Sequence, residues 1–461
     1  MNVTYIALAA IGAYLICVTA IGWLGHSLAR ESDMFNIFGR RAKTIRATAG
    51  YLSLIGGGEL ITISQLGHDN GWDVFWFLGG IAIGFAVLAL SAGRMKKIAD
   101  DRKINTLSGF YADQFGMAAG IAATVIFVLS LGSLLTIQFI VGSQLLTALF
   151  HIPALLSISL IGLVIIAYLL PAGIVAVLST DVLRAAMMSV VLAVIVYFTA
   201  AHVGVTAPPS AFQPLPQPDN VIYLVLGFFG AIAAADVWQT VLASQSTRVL
   251  RNSLLYGAVA FLAVGALIAK LGMITRAALP NLDPNTPAFI AAATHVVPGV
   301  LAPLVAVLVT GSVMATADTE IWVISTLLLS NIRPSFAQNE RDAGLIQNSG
   351  DLKRATRWLI PVVCIAAMVG AYFSADAQAI YTGLLSLLSA SGVAILAALF
   401  LRPRGYSIAL SLWAGIIAFV ALSVMYQFAI PLVQSLIPLG AALLGYVLGS
   451  SIGPERRQNR A

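Results

Sequence analysis

Five carboxylates lie inside long apolar stretches of the 461-residue sequence: Glu59, Asp181, Asp236, Asp318 and Glu320. Each costs at least about 2.5 kcal/mol at the centre of a membrane helix, so each calls for a partner or a task. Glu59 closes the run Ser53-Leu54-Ile55-Gly56-Gly57-Gly58-Glu59. Three consecutive glycines weaken a helix by about 1 kcal/mol each relative to alanine. Irregular backbone at membrane depth is tolerated only where it lines a cavity, so this run predicts a helix broken near the midplane. Such a break frees carbonyl oxygens to coordinate a cation and points a helix N-terminus at an anionic group. Glycines alone could instead serve close helix packing; the adjoining carboxylate favours a site.

Asp236 stands in Ala234-Ala235-Asp236-Val237-Trp238-Gln239, where an aromatic and an amide flank the carboxylate. That grouping suits the cationic or hydrogen-bonding group of a solute. Asp181 and Arg184 are three apart on one helix face, which predicts either a structural ion pair or a supported ion site. Asp318 and Glu320 follow Thr316, and a position toward the cytoplasmic half would leave them solvated.

These residues must be held by membrane helices. The chain is 59% apolar and 10% charged, with a mean hydropathy of +0.93. A soluble domain carries about 25% charged residues, so this composition excludes a soluble fold. Apolar runs long enough to cross about 30 Å of hydrocarbon recur along the chain, which makes it an all-α polytopic membrane protein. A membrane β-barrel would alternate over segments of about ten residues, and no such pattern occurs. Thirteen spans are expected, at roughly 5–24, 47–67, 74–92, 117–149, 154–170, 173–200, 221–245, 253–274, 299–329, 358–373, 378–401, 406–428 and 431–450.

With the N-terminus outside, 22 of the 25 Lys and Arg fall in clusters on the inner face, as the positive-inside rule requires. The net charge of +6 is therefore a topology signal rather than a nucleic-acid footprint. Residues 5–24 lack a basic region ahead of them and a cleavage site behind, so they read as a retained span. The proline-rich stretch 202–220 is expected as an extended outer connection. Residues 287–297 are too short to cross and are expected to lie as a helix against the outer mouth, and 333–357 as a solvated inner loop. Cys17 and Cys364 both fall in apolar runs and imply no disulfide framework.

The chain is not expected to be an enzyme. His26, His68, His151, His202 and His295 are scattered, with no metal-ligand spacing. No Walker-type phosphate loop is present, so ATP does not drive this chain directly.

Several segments together resemble the sodium:solute symporter family, which includes bacterial proline and sialic acid transporters and animal glucose transporters. Gly39-Arg40 resembles the family's Gly-Arg entry to the broken span. Asn105-Thr106-Leu107-Ser108-Gly109-Phe110-Tyr111 with Phe115-Gly116 is similar to its Thr-Leu-Pro-Glu-Tyr and Phe-Gly stretch. Val175 to Asp181 resembles its Ala-Val-x-x-Thr-Asp, and Trp238-Gln239 through Ala243, followed by Arg248, its Gln-Arg-x-x-Ala segment. Ser312-Val313-Met314-Ala315-Thr316 is similar to the Ala-Val-Met-Ser-Ser or Ser-Thr run of its ninth span.

The resemblance implies an inverted-repeat core of the leucine-transporter type. Residues 47–200 would form one five-helix repeat and 221–401 the other, joined by the outer loop 201–220. Residues 1–46 and 402–461 would add one N-terminal and two C-terminal spans. It also implies that sodium is held by the carbonyls of Ser53, Gly56 and Ser312 and by side chains at Ala315 and Thr316. Thr316 keeps the hydroxyl; Ala315 does not. Asp181 matches an aspartate that supports sodium sites in parts of the family. Thr240 stands where an arginine is usual, and Arg184 where a glutamine is common.

The expected function is sodium-coupled symport of a small organic solute by alternating access, in a bacterial inner membrane. Sodium would be the coupling ion rather than a resident cofactor. Gly57, Gly58, Glu59, Gln138, Asp236, Trp238 and Gln239 are the expected solute-binding residues. Proton coupling through Glu59, Asp181 or Asp236 on the same fold is the first alternative. A solute-binding sensory module is the second.

Overall fold

Lipid offers the backbone no partners, so apolar stretches satisfy their own N–H and C=O groups by coiling. The computed structural model describes residues 3–25, 40–102, 104, 106–172, 174–204, 217–283, 286–332, 349–374, 376–401, 403–427 and 429–451. Helices occupy every stretch in which a span is expected. They are α1 (Val3–Gly25), α2 (Thr44–Leu52), α3 (Gly57–Asn70), α4 (Phe75–Asp101), α5 (Leu107–Phe115), α6 (Met117–Phe150), α7 (Ala154–Ala172) and α8 (Ile174–Val203). The second part of the chain adds α9 (Pro218–Ala233), α10 (Ala235–Ala243), α11 (Thr247–Ala278), α12 (Ala302–Ile332), α13 (Ser349–Phe373), α14 (Ala377–Phe400), α15 (Gly405–Met425) and α16 (Ile437–Ser451).

Among the described residues, nine helices are long and apolar enough to cross a membrane, or ten if α9 and α10 count as one bent span. Gly39, Asn105, Arg402, most of the loops 202–220 and 333–357, and the basic tail Arg456 to Arg460 lie outside the described residues. The stretch after Pro287 forms one α-helical turn, Ala288–Ala291, and one π-helical turn, Ala292–Val296. Most of its residues are buried, and the Ala288 N–H donates to Gln65 Oε1 at 2.9 Å.

Two spans are broken. In the first, α2 ends at Leu52 and the chain turns through Ser53 to Gly56 before α3 begins. The interruption therefore lies just ahead of the position the glycine triplet predicts. Only Gly56 belongs to it, with extended dihedrals, whereas Gly57 and Gly58 open α3. The triplet acts mainly through close approach. A Cβ on Gly57 would stand 2.8 Å from Val141 Cβ, and one on Gly58 would stand 3.1 Å from the Tyr381 ring.

The second break separates α9 from α10 at Ala234, whose extended dihedrals bend the pair by 41°. No glycine or proline marks it. The Trp238 indole N–H donates to Ile232 O at 2.9 Å, satisfying a carbonyl that the break releases. Trp238 also packs on Phe110, with ring centroids 5.9 Å apart.

α12 packs against α1, α6 and α8, and α4 against α9 and α11. At one end of the bundle the segments leading into α2 and out of α10 run side by side. Ala42 N–H donates to Ala243 O at 3.0 Å, and Gln245 N–H donates to Ala42 O at 3.0 Å. Arg40 reaches across to donate to Ile104 O at 2.8 Å and pairs with Asp100 at 3.3 Å.

Candidate functional site

The unwound segment Ser53–Gly56 faces α12. Ser312, Thr316 and Glu320 recur every four residues there, with Ala315 and Thr319 beside them, so all five share one helix face. Ser312 Oγ donates to Ile55 O at 2.5 Å. The Thr316 hydroxyl lies between Ser53 O at 3.1 Å and Ser312 O at 3.2 Å and donates to them. Of the expected cation ligands, Thr316 thus touches both Ser53 and Ser312. The Gly56 carbonyl points elsewhere and accepts the first hydrogen bond of α3, from Leu60 N–H at 3.0 Å.

A small cavity opens beside this group, lined by Ser53, Asp181, Asp236, Gln239, Thr240 and Thr319 among others. Asp181 Oδ1 is buried there without a hydrogen bond. Ala315 contributes no side-chain oxygen, but Thr319, one turn further along α12, donates its hydroxyl to Ala315 O at 3.1 Å and lines the cavity. Thr319 escaped the sequence reading because the family pattern stops at Thr316; its i+4 spacing from Ala315 is the signal that could have found it.

A second, larger cavity lies between the two helix breaks and shares Leu54 and Asp236 with the first. Its wall includes Phe77, Phe85, Phe261 and Tyr381, and its polar side chains are Glu59, Asp236 and Tyr381. Glu59 is the third residue of α3. Its Oε2 accepts Gly56 N–H at 2.9 Å, and its Oε1 accepts the Tyr381 hydroxyl at 3.1 Å. Asp236 is the second residue of α10, and its Oδ1 accepts Val237 N–H at 2.8 Å. Tyr381, which the sequence reading missed, comes from α14; nothing local to it signals a partner so distant in the chain.

Of the expected solute-binding residues, Glu59, Asp236 and Gln239 line the two cavities. Gly57, Gly58 and Gln138 stand behind the first break: Gln138 Oε1 accepts Gly57 N–H at 2.6 Å. Trp238 lines neither cavity and supports the second break.

One expectation needs correction. Asp318 and Glu320 are not solvated; both are 0% exposed. Arg184 does pair with Asp181, as their spacing allows, but Asp318 is the closer carboxylate. Arg184 Nη1 lies 2.5 Å from Asp318 Oδ2 and 3.9 Å from Asp181 Oδ1, while its Nε donates to Tyr14 on α1 at 3.2 Å. The closer carboxylate comes from a neighbouring helix, which spacing along α8 cannot reveal.

The overall fold recurs in solved structures. A substrate-bound, outward-open sodium-coupled sialic acid symporter matches with a TM-score of 0.74 at 15% identity, covering 99% of both chains. The fold is of the leucine-transporter type. A nucleobase-cation-symport-1 family transporter with bromovinylhydantoin bound matches with a TM-score of 0.63 at 13% identity, over 90% of this chain and 93% of the other. MhsT in complex with L-phenylalanine matches at 0.58 and 13% identity, over 88% and 98%. No protein-family model matches the sequence, and no curated protein matches it significantly. The sialic acid symporter and the nucleobase-cation transporter are transporters, not enzymes.

Proposed function

We propose that the chain is a secondary active transporter of the sodium:solute symporter family, carrying a small organic solute by alternating access. Thirteen spans, with inverted five-helix repeats at 47–200 and 221–401, form the scaffold. The end of the bundle bearing Arg40 faces the cytoplasm of a bacterial cell, where the basic clusters belong. One observation carries the reading: the unwound Ser53–Gly56 segment meets Ser312 and Thr316 at hydrogen-bond distance beside a cavity that adjoins the second break. Bare carbonyls, hydroxyls and a carboxylate are the hard oxygen donors a sodium ion takes. Ser53, Thr316, Thr319 and Asp181 supply them here. Cation and solute held by the same broken helices stabilise one state together, which is the coupling that symport requires.

The experiment is retention of radiolabelled sodium by the purified protein, in competition with unlabelled sodium and potassium. Thr316→Ala should abolish sodium-selective retention and Thr316→Ser should keep it. Equal retention by wild type and Thr316→Ala overturns the assignment. Proton coupling is the second reading, favoured by the missing oxygen at Ala315 and the buried carboxylates nearby. Uptake into liposomes under separate sodium and proton gradients distinguishes the two.

A further inference from the structure

The groups that line the larger cavity restrict the charge of what it can hold. A helix N-terminus attracts anions through its free N–H groups and its dipole. Two helices begin at this cavity, and at both that place is already taken by a carboxylate of the chain itself. Glu59 Oε2 accepts the Gly56 N–H at the start of α3, and Asp236 Oδ1 accepts the Val237 N–H at the start of α10. Among the described residues, no basic side chain lines the cavity. Arg184 is engaged by Asp318. An anionic group entering would meet two carboxylates and no cation, whereas a cation would find acceptor oxygens on Glu59 and Asp236 beside the faces of Phe77, Phe85, Phe261 and Tyr381. Aromatic faces attract desolvated cations through their quadrupoles.

We propose that the solute is an organic monocation with an apolar or aromatic body and no carboxylate: an amine rather than an amino acid or an organic acid. This rests on the reading of the cavity as the solute site. Glu59 and Asp236 are its charge-recognising residues.

The test uses three ligands built on one phenyl ring that differ in charge: 2-phenylethylamine, L-phenylalanine and 3-phenylpropanoate. Thermal stabilisation of the purified full chain in sodium buffer reads binding of each, since a ligand stabilises the state it occupies. The amine should bind at least about tenfold more tightly than the zwitterion, with no stabilisation by the acid. Glu59→Gln and Asp236→Asn should each weaken the amine by a similar factor. Phenylalanine or the acid binding as well as the amine overturns the proposal, and so does absence of stabilisation by the amine. The wild-type comparison stands even if neither variant folds. Amine binding without sodium-driven uptake into liposomes would sink the symport reading and leave the charge assignment intact. Sodium-driven uptake of phenylalanine in preference to the amine would do the reverse.

Discussion

Arg184 on α8 and Asp318 on α12 form a buried ion pair, 2.5 Å from Nη1 to Oδ2, that holds the guanidinium closer to Asp318 than to Asp181, 3.9 Å away. Asp181, the more distant carboxylate, lines the smaller cavity together with Ser53. Tyr14 completes the hub, so α1 is tied to the core through the same guanidinium.

Breaking a buried pair by removing one partner leaves an uncompensated charge, at a cost of about 3–5 kcal/mol. Arg184→Leu and Asp318→Leu should each lower thermal stability in detergent by that order. The double variant should lose less than the sum, because neither charge is then stranded. Additive losses would show that the two side chains do not act as a pair.

In the proposed ion site, Thr319 supplies the hydroxyl absent at Ala315. Thr319→Val, which keeps the shape and removes the oxygen, should weaken sodium-dependent stabilisation about tenfold or more. Ala315→Ser should restore most of that loss in the Thr319→Val background by returning a donor one turn away. Unchanged sodium dependence in Thr319→Val would remove this residue from the ion site.

The glycines at the start of α3 are required by contact. Gly57→Ala would drive a methyl group to within 2.8 Å of Val141 Cβ. Overpacking of this kind costs about 1–3 kcal/mol. Val141→Ala should recover part of the loss, measured by thermal unfolding of the single and double variants. No recovery would mean that Gly57 matters for some other reason than crowding.

Trp238→Phe keeps the aromatic contact with Phe110 but removes the indole N–H, leaving Ile232 O unsatisfied. A buried acceptor without a partner costs about 1–3 kcal/mol, so the variant should unfold earlier. Hydrogen exchange should rise locally around Ala234. A variant as stable and as protected as the wild type would rule out a bracing role for the indole.

The positions of the helices are legible in the sequence because hydropathy and length report burial in lipid directly. The first break is legible as well, although its register is displaced toward Gly56 because helix-breaking residues mark a weak point without fixing which peptide units turn. The second break is hidden, since alanine has the best helix propensity and Ala234 is held extended by contacts made elsewhere, such as the Trp238 indole. Asp318 was misread for a related reason. Its place along the span suggested solvation, but burial is decided by which face of α12 meets α8. Glu59 was legible through its sequence neighbours, whereas its partner Tyr381 lies 322 positions away.

The paired segments around Ala42 and Ser244 make one latch of what would otherwise be two independent hinges. Their backbone bonds join the lead-in to one interrupted span to the tail of the other, and Arg40 fastens both to the loop beyond α4. Neither segment can swing away without parting from its neighbour, so that doorway yields as a unit or stays shut.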